Sequence, residues 1–262
     1  MCLENSISIL IPLYNSKEMA SRCIKSAIKF KKNHPDYKVH IIISDDSPDK
    51  SVELFLKSID IFKNNCTFLS RDSKASEINP AVNNWNFLLN YSFNFYPNSY
   101  YMLLHHDEAI ASNVRFKFKN NSRLYICSLR GKVSRRNSFI GRLLSRLFLI
   151  IFPELLYSFN TIGPSACFIS NKKIFFNTEL TWLVDVDFYY RTIISLNKRS
   201  DIIFDNQCSI ETFVNDTSIT STLDISKILT KERQLLNLSK PNSLIINLLI
   251  KYKQLASSKL KA

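Results

Sequence analysis

The sequence predicts an α/β fold: a mostly parallel central sheet with helices on both faces, followed by an amphipathic helical tail. Three observations carry it. Strand-like apolar runs alternate with helix-period segments through the first hundred residues. The connections between them are short, as sequential strands crossing over through helices require. The chain of 262 residues is 45% apolar and 12% aromatic, enough to bury a sizeable core and too apolar for disorder.

Ile7 to Leu13 reads as the first strand. Ser16 is placed to cap a helix whose apolar positions are Met19, Ala20, Cys23, Ile24, Ala27 and Ile28. Val39 to Ile43 is the second strand, Asp45 to Asp49 a turn, and Val52, Phe55, Leu56, Ile59 and Phe62 mark a single second helix. Cys66 to Leu69 is a third strand, Val82, Trp85, Leu88 and Leu89 lie on a third helix, and Tyr100 to Leu104 is a fourth strand. The predicted division is one domain over 1–222, in two parts at 1–110 and 111–222, then a basic amphipathic helical tail at 223–262.

In open α/β sheets ligands bind beyond the carboxyl ends of the strands. Here those ends are followed by Pro12-Leu-Tyr-Asn15, Asp45-Asp46, Arg71-Asp72 and His105-His-Asp-Glu108. Polar and acidic residues therefore converge on one edge of an otherwise apolar sheet. Other chemistries are excluded. The three glycines, Gly131, Gly141 and Gly163, allow no Walker A loop, dinucleotide turn or G-x-S-x-G elbow. The six cysteines are scattered without a C-x-x-C pair, as expected of buried free thiols in a reducing compartment. No basic region precedes the run at Ile7, so no secretory signal is expected, and no apolar stretch reaches the roughly 18 residues needed to span a bilayer.

The net charge of +13 is concentrated. Ala109 to Pro153 holds ten basic residues and no acid; Lys227 to the C-terminus holds eight basic residues and one acid, Glu232. Both segments also carry apolar side chains, Leu143 to Phe152 in the first and Leu244, Ile245, Leu248, Leu249 and Tyr252 in the second. Basic residues beside an apolar helical face suit an anionic membrane surface. A basic patch is also the footprint of a nucleic-acid binder. Acidic strand ends repel phosphate chains, so no nucleic-acid partner is expected; 115–152 and 227–262 are read as membrane-facing.

Several motifs in order resemble family 2 glycosyltransferases of the GT-A fold, inverting enzymes of the bacterial surface-polysaccharide type. They are Ser8-Ile-Leu-Ile-Pro-Leu-Tyr-Asn15, Ile42-Ile-Ser-Asp-Asp-Ser-Pro-Asp49, Asn84-Trp-Asn86, Leu103-Leu-His-His-Asp-Glu108, Ile162-Gly-Pro-Ser-Ala166 and Trp182-Leu-Val-Asp-Val-Asp-Phe-Tyr-Tyr-Arg191. The resemblance covers roughly Ser6 to Thr220 and implies a nucleotide-binding part at 1–110 and an acceptor part at 111–222. It implies a nucleotide-sugar donor, a glycan or lipid-linked acceptor, and Mn2+ or Mg2+ at the diphosphate.

Carried over residue by residue, Asp107 matches the last aspartate of the metal-binding D-x-D element, while its first position is His105, a departure. Imidazole can ligate manganese or contact the diphosphate. Asp185 matches the catalytic base, with Asp187 as rival on the acceptor side; the preceding glutamate of the usual element is Val184 here. Pro12, Tyr14 and Asn15 match the base-packing loop, and Asp45 and Asp46 the acidic pair that reads base and ribose, either of them being the one that points inward. Arg71, Asn86, His105 and His106 complete the donor side, with Trp85 either core or ligand. Gly163, Pro164, Ser165 and Trp182 line the acceptor side. Asn215 stands where many relatives have a histidine.

The resemblance thus implies sugar transfer from a UDP or dTDP donor on the cytoplasmic face of a membrane, in lipopolysaccharide or capsule synthesis. The alternatives are a non-catalytic binder of the same shape, which the departures at His105 and Val184 favour, and the basic nucleic-acid binder.

Overall fold

A computed structural model of the chain describes residues 6–71, 77–111, 123–130, 151, 153–157, 162, 167–170, 173–196, 198, 201–213 and 224–238. The elements alternate from the N-terminus: β1 (Ser6–Leu13), α1 (Lys17–Asn33), β2 (Lys38–Asp45), α2 (Ser51–Lys57), α3 (Asp60–Lys63), β3 (Cys66–Leu69), α4 (Pro80–Phe95) and β4 (Tyr100–Leu103). There follow β5 (Glu108–Ile110), β6 (Leu124–Arg130), a 3-10 turn at Pro153–Tyr157, β7 (Cys167–Ser170), α5 (Val184–Ile194), β8 (Ile202–Thr212) and α6 (Ile225–Leu235).

Eight strands form one sheet in the order β3-β2-β1-β4-β7-β6-β8-β5. β3, β2, β1 and β4 run parallel; β7 pairs antiparallel with β4 and β6, β8 runs parallel to β6, and β5 closes the far edge antiparallel to β8. The α/β class and mostly parallel core agree with the sequence.

Strand geometry puts alternate residues on opposite faces. Ile7, Ile9 and Ile11 of β1 join α1, through Ala20, Cys23, Ile24, Ala27, Ile28 and Phe30, in one core. Leu10 and Ile42 face the other, with Val82, Leu88, Leu89 and Phe93 of α4 and Val184, Val186 and Phe188 of α5. Covered on both sides, β1 reads as a continuous apolar run. Ser16 caps α1, its hydroxyl accepting from the Met19 N–H, as the sequence predicts.

The predicted second helix is instead two. α2 ends at Ser58, whose hydroxyl donates to the Phe55 carbonyl, and Ile59 adopts an extended backbone before α3 begins at Asp60. The break leaves Phe62 wholly buried beneath the sheet.

No helix among the described residues is long and apolar enough to cross a membrane. The basic segments at 115–122, 131–150 and 239–262 lie outside the described residues.

Candidate functional site

The four parallel strands end side by side, and their last residues lead into the predicted donor residues. Leu103 is the last β4 residue opposite β1, facing Leu10. Pro12 therefore points its missing N–H past the end of β4, where no ladder bond is lost. Beyond it Tyr14 is 51% exposed, and Asn15 adopts a left-handed backbone (φ 52°), its N–H donating to Ser47 Oγ at 2.9 Å. Asparagine tolerates that region better than most residues.

The two aspartates after β2 face different partners. Asp45 is buried and accepts from the Ser47 N–H, the Ser47 hydroxyl and the Glu53 N–H, so its oxygens close the turn and cap α2. Asp46 accepts from Arg71 Nη1 at 2.7 Å. Arg71, itself buried, also binds Glu77 and donates to the Pro80 carbonyl at 3.4 Å. Burial pushes the Asp46 carboxyl up from its ordinary range, with the Arg71 guanidinium pulling the other way. Lys50 joins them, its ammonium donating to the carbonyls of Asp45 and Arg71. Three acids, Asp45, Asp46 and Glu77, thus gather around one guanidinium and one ammonium.

α4 supports this edge from below. Asn86 grips the backbone of Phe176 in both directions, accepting its N–H at 2.8 Å and donating to its carbonyl at 2.9 Å. Trp85 packs between the His105 ring, 4.8 Å away, and the Phe176 ring at 5.2 Å. Asn84 donates to the Ser44 carbonyl at 3.4 Å.

After β4 the chain turns sharply. The Leu104 N–H extends the ladder to Leu10, and the Glu108 N–H closes the turn onto the His105 carbonyl at 3.0 Å. The Asp107 carbonyl accepts from Phe213, which fixes the turn to the far end of β8. Burial drives the His105 imidazole down to about 4, against the pull of Asp107, and lowers His106 as well. Both rings are therefore neutral at physiological pH, the form that ligates metals. No cluster of three or more His, Cys, Asp or Glu suited to a metal ion occurs among the described residues. The donor set here is a carboxylate and a neutral imidazole, which fits a hard cation completed by phosphate oxygens and water.

α5 carries the two acids predicted for the acceptor side, in different environments. Asp187 accepts from the Tyr157 hydroxyl at 3.0 Å and from Arg191 Nε at 2.7 Å. Arg191 in turn donates to the Phe175 carbonyl at 2.7 Å. Asp185 has a buried Oδ1 with no protein partner among the described residues, and burial pushes its carboxyl up to about 7. It lies inside the first turn; the helix N-cap is Leu183, which provides no side-chain cap.

The turn that leads into α5 is held from elsewhere. Glu232 of α6, 3% exposed, accepts from the N–H groups of Thr181, Trp182 and Leu183. Sequence reasoning passed over Glu232, although it is the one acid in the basic C-terminal stretch. Trp182 is partly buried against the second core. Gly163, Pro164, Ser165 and Asn215 lie outside the described residues.

Residues 8–84 match glycosyl transferase family 2. No curated protein matches the sequence. Among solved structures, the chain resembles residues 1–349 of TarS from S. aureus (14% identity, TM-score 0.54), covering 79% of this chain and 60% of that one. It also resembles a mannosyltransferase from Pyrobaculum calidifontis in complex with GDP-mannose and Mn2+ (10% identity, TM-score 0.57), covering 82% of this chain and 59% of that one. A third is glucosyl-3-phosphoglycerate synthase from Mycobacterium tuberculosis with Mn2+, UDP-glucose and phosphoglyceric acid (12% identity, TM-score 0.50), covering 90% of this chain and 81% of that one. The chain thus spans about 60% of the length of the first two. Residues 8–84 are thus similar to glycosyl transferase family 2, and the chain shares the GT-A fold with these glycosyltransferases.

Proposed function

We propose that this protein transfers a sugar from a nucleoside-diphosphate donor, UDP- or dTDP-linked, to a glycan or lipid-linked glycan, with inversion at the anomeric carbon. The observation that carries the reading is Asp185: a carboxyl group at the start of a helix, with a buried oxygen that no group among the described residues satisfies. Buried polar groups are almost always paired. One left open, with its proton affinity raised toward neutrality, suits a general base.

In this reading Asp185 takes the proton of the acceptor hydroxyl as the acceptor oxygen bonds the anomeric carbon. The bond from that carbon to the diphosphate breaks on the opposite side, and the nucleoside diphosphate leaves. Asp107, with His105, would hold a divalent cation, Mn2+ or Mg2+, which when bound neutralises charge developing on the leaving diphosphate. His106 lies beside them. Pro12, Tyr14 and Asn15 pack against the base, and Asp46, held by Arg71, reads the base or ribose while Asp45 shapes the loop. Asn86 holds the floor. Gly163, Pro164, Ser165 and Trp182 line the acceptor side, and Asp187 fixes α5 through Tyr157 and Arg191. Relatives of like fold with GDP-mannose or UDP-glucose and Mn2+ support the donor class and the cation.

We also place the protein at the cytoplasmic membrane face, in surface-glycan synthesis. The support is the charge in 115–152 and 227–262; within the described part of the latter, Lys227 and Lys231 are exposed while Leu229 packs inward.

Thermal unfolding with UDP, dTDP, GDP and CMP, each with and without Mn2+, tests the donor site. A ligand that binds only the native state raises the melting temperature. UDP or dTDP is expected to raise it, more with Mn2+ present; no shift with any of the four overturns the reading.

A further inference from the structure

We propose that Glu232 is a positioning residue for sugar transfer: from the C-terminal helix it holds Thr181–Leu183 by their backbone N–H groups, fixing Trp182 and the first turn of α5, where Asp185 sits. The proposal rests on the reading of Asp185 as base.

The geometry is specific. Leu183 donates to Glu232 Oε2 at 2.8 Å, Trp182 donates to both oxygens at 3.0 and 3.2 Å, and Thr181 donates to Oε1. Three consecutive N–H groups turned toward one point form an anion-binding concavity, and the start of α5 adds its own partial positive charge. A helix start leaves N–H groups that need partners. The N-cap Leu183 has no polar side chain to cap the first turn, and its own N–H, with those of Trp182 and Thr181 ahead of it, is held from about 50 residues away.

The neighbouring residue reaches the same helix by another route. Arg233 Nη1 donates to the Tyr157 carbonyl at 3.5 Å, and the Tyr157 hydroxyl donates to Asp187. Leu229 and Leu236 pack against the core that contains Val184, Val186 and Phe188. α6 thus holds α5 at the N–H groups just before its first turn and through the Tyr157–Asp187 bond. Asp185 lies between those two points, its Oδ1 without a hydrogen bond among the described residues.

The test is Glu232→Gln, which keeps the side chain's size and packing but presents an amide NH2 to N–H groups that require an acceptor. Hydrogen exchange over residues 178–190 is compared with exchange over β1. It is read beside steady-state transfer from UDP-glucose and dTDP-glucose and the melting shift given by UDP. The expected result is faster exchange confined to 181–186, kcat lower by about 10- to 100-fold, and donor KM within about twofold. Glu232→Asp, which keeps both acceptor oxygens, is expected to recover part of kcat.

Unchanged exchange in Glu232→Gln overturns the proposal, as does a loss of protection that extends through β1 or a donor KM that rises as kcat falls. Loosened 181–186 amides together with full transfer by Asp185→Asn would overturn the base assignment and leave the clamp standing, so the two failures are distinguishable.

Discussion

At the scale of single residues, partners separate acids that look alike in sequence. Asp185 and Asp187 are two positions apart, and the resemblance assigns the base to Asp185 with Asp187 as rival. Asp187 is committed to Tyr157 and Arg191, whereas Asp185 has a buried oxygen without a partner among the described residues. Asp187→Asn is therefore expected to cost about 1–3 kcal/mol of stability in urea unfolding, since it weakens the bonds of a buried carboxylate to Tyr157 and to the partly exposed Arg191, while leaving nucleotide affinity unchanged. Asp185 gives a pH prediction. Its carboxyl is raised to about 7 by burial, so the folded state holds the proton more tightly than the unfolded chain. Stability from this group is full below the ordinary carboxylate range and is lost as pH rises toward 7. Asp185→Asn should therefore melt higher than the native protein at pH 8, the difference shrinking toward pH 4. For kcat/KM the sign is opposite: the base must be ionised, so the rate should fall as pH drops below about 7. Both acids were legible because they sit in a recognisable motif. Their difference was not, because Tyr157 lies 30 residues away and Arg191 is recognisable as a partner only once the helix is known.

At the scale of elements, the first four strands and their crossover helices could be read because each is a run of one period, buried by neighbours close in sequence. α2 and α3 were read as one helix because Ile59 and Phe62 continue the apolar period across the break; the kink at Ser58–Ile59 has no glycine or proline to mark it. β8 resisted reading for the opposite reason. Its 11 residues include Asp205, Asn206 and Gln207, and its pairing with β6 shifts register after Cys127. α4 supplies the prediction at this scale. Asn86 joins α4 to the Phe176 backbone by two hydrogen bonds, each contributing on the order of 1 kcal/mol, with a further cost if the Phe176 groups are left unpaired. Asn86→Ala should therefore destabilise the fold by about 2–3 kcal/mol in urea unfolding. Asn86→Asp, which keeps only the acceptor, should fall between the two.

For the whole molecule, the fold places the proposed donor-side acids and the proposed base through different devices. Asp45, Asp46 and Asp107 follow parallel strand ends that local sequence nearly dictates, while Asp185 is set by α5, whose preceding turn α6 holds from the far end of the chain. That explains why the convergence of polar residues at the strand ends was legible in local sequence, and why the surroundings of α5 were not: their geometry arises from contacts distant in sequence. It also gives the described part of the basic tail a place, since Lys227 and Lys231 face outward while Leu229 and Glu232 are turned into the core. The most direct test of the central claim is sugar transfer by Asp185→Asn beside Asp187→Asn, with nucleotide binding measured on both. Loss of transfer by at least about 1,000-fold in Asp185→Asn with UDP or dTDP still bound, and substantial transfer retained by Asp187→Asn, is the predicted result for removal of an essential proton acceptor. Transfer that survives in Asp185→Asn and vanishes in Asp187→Asn would contradict it.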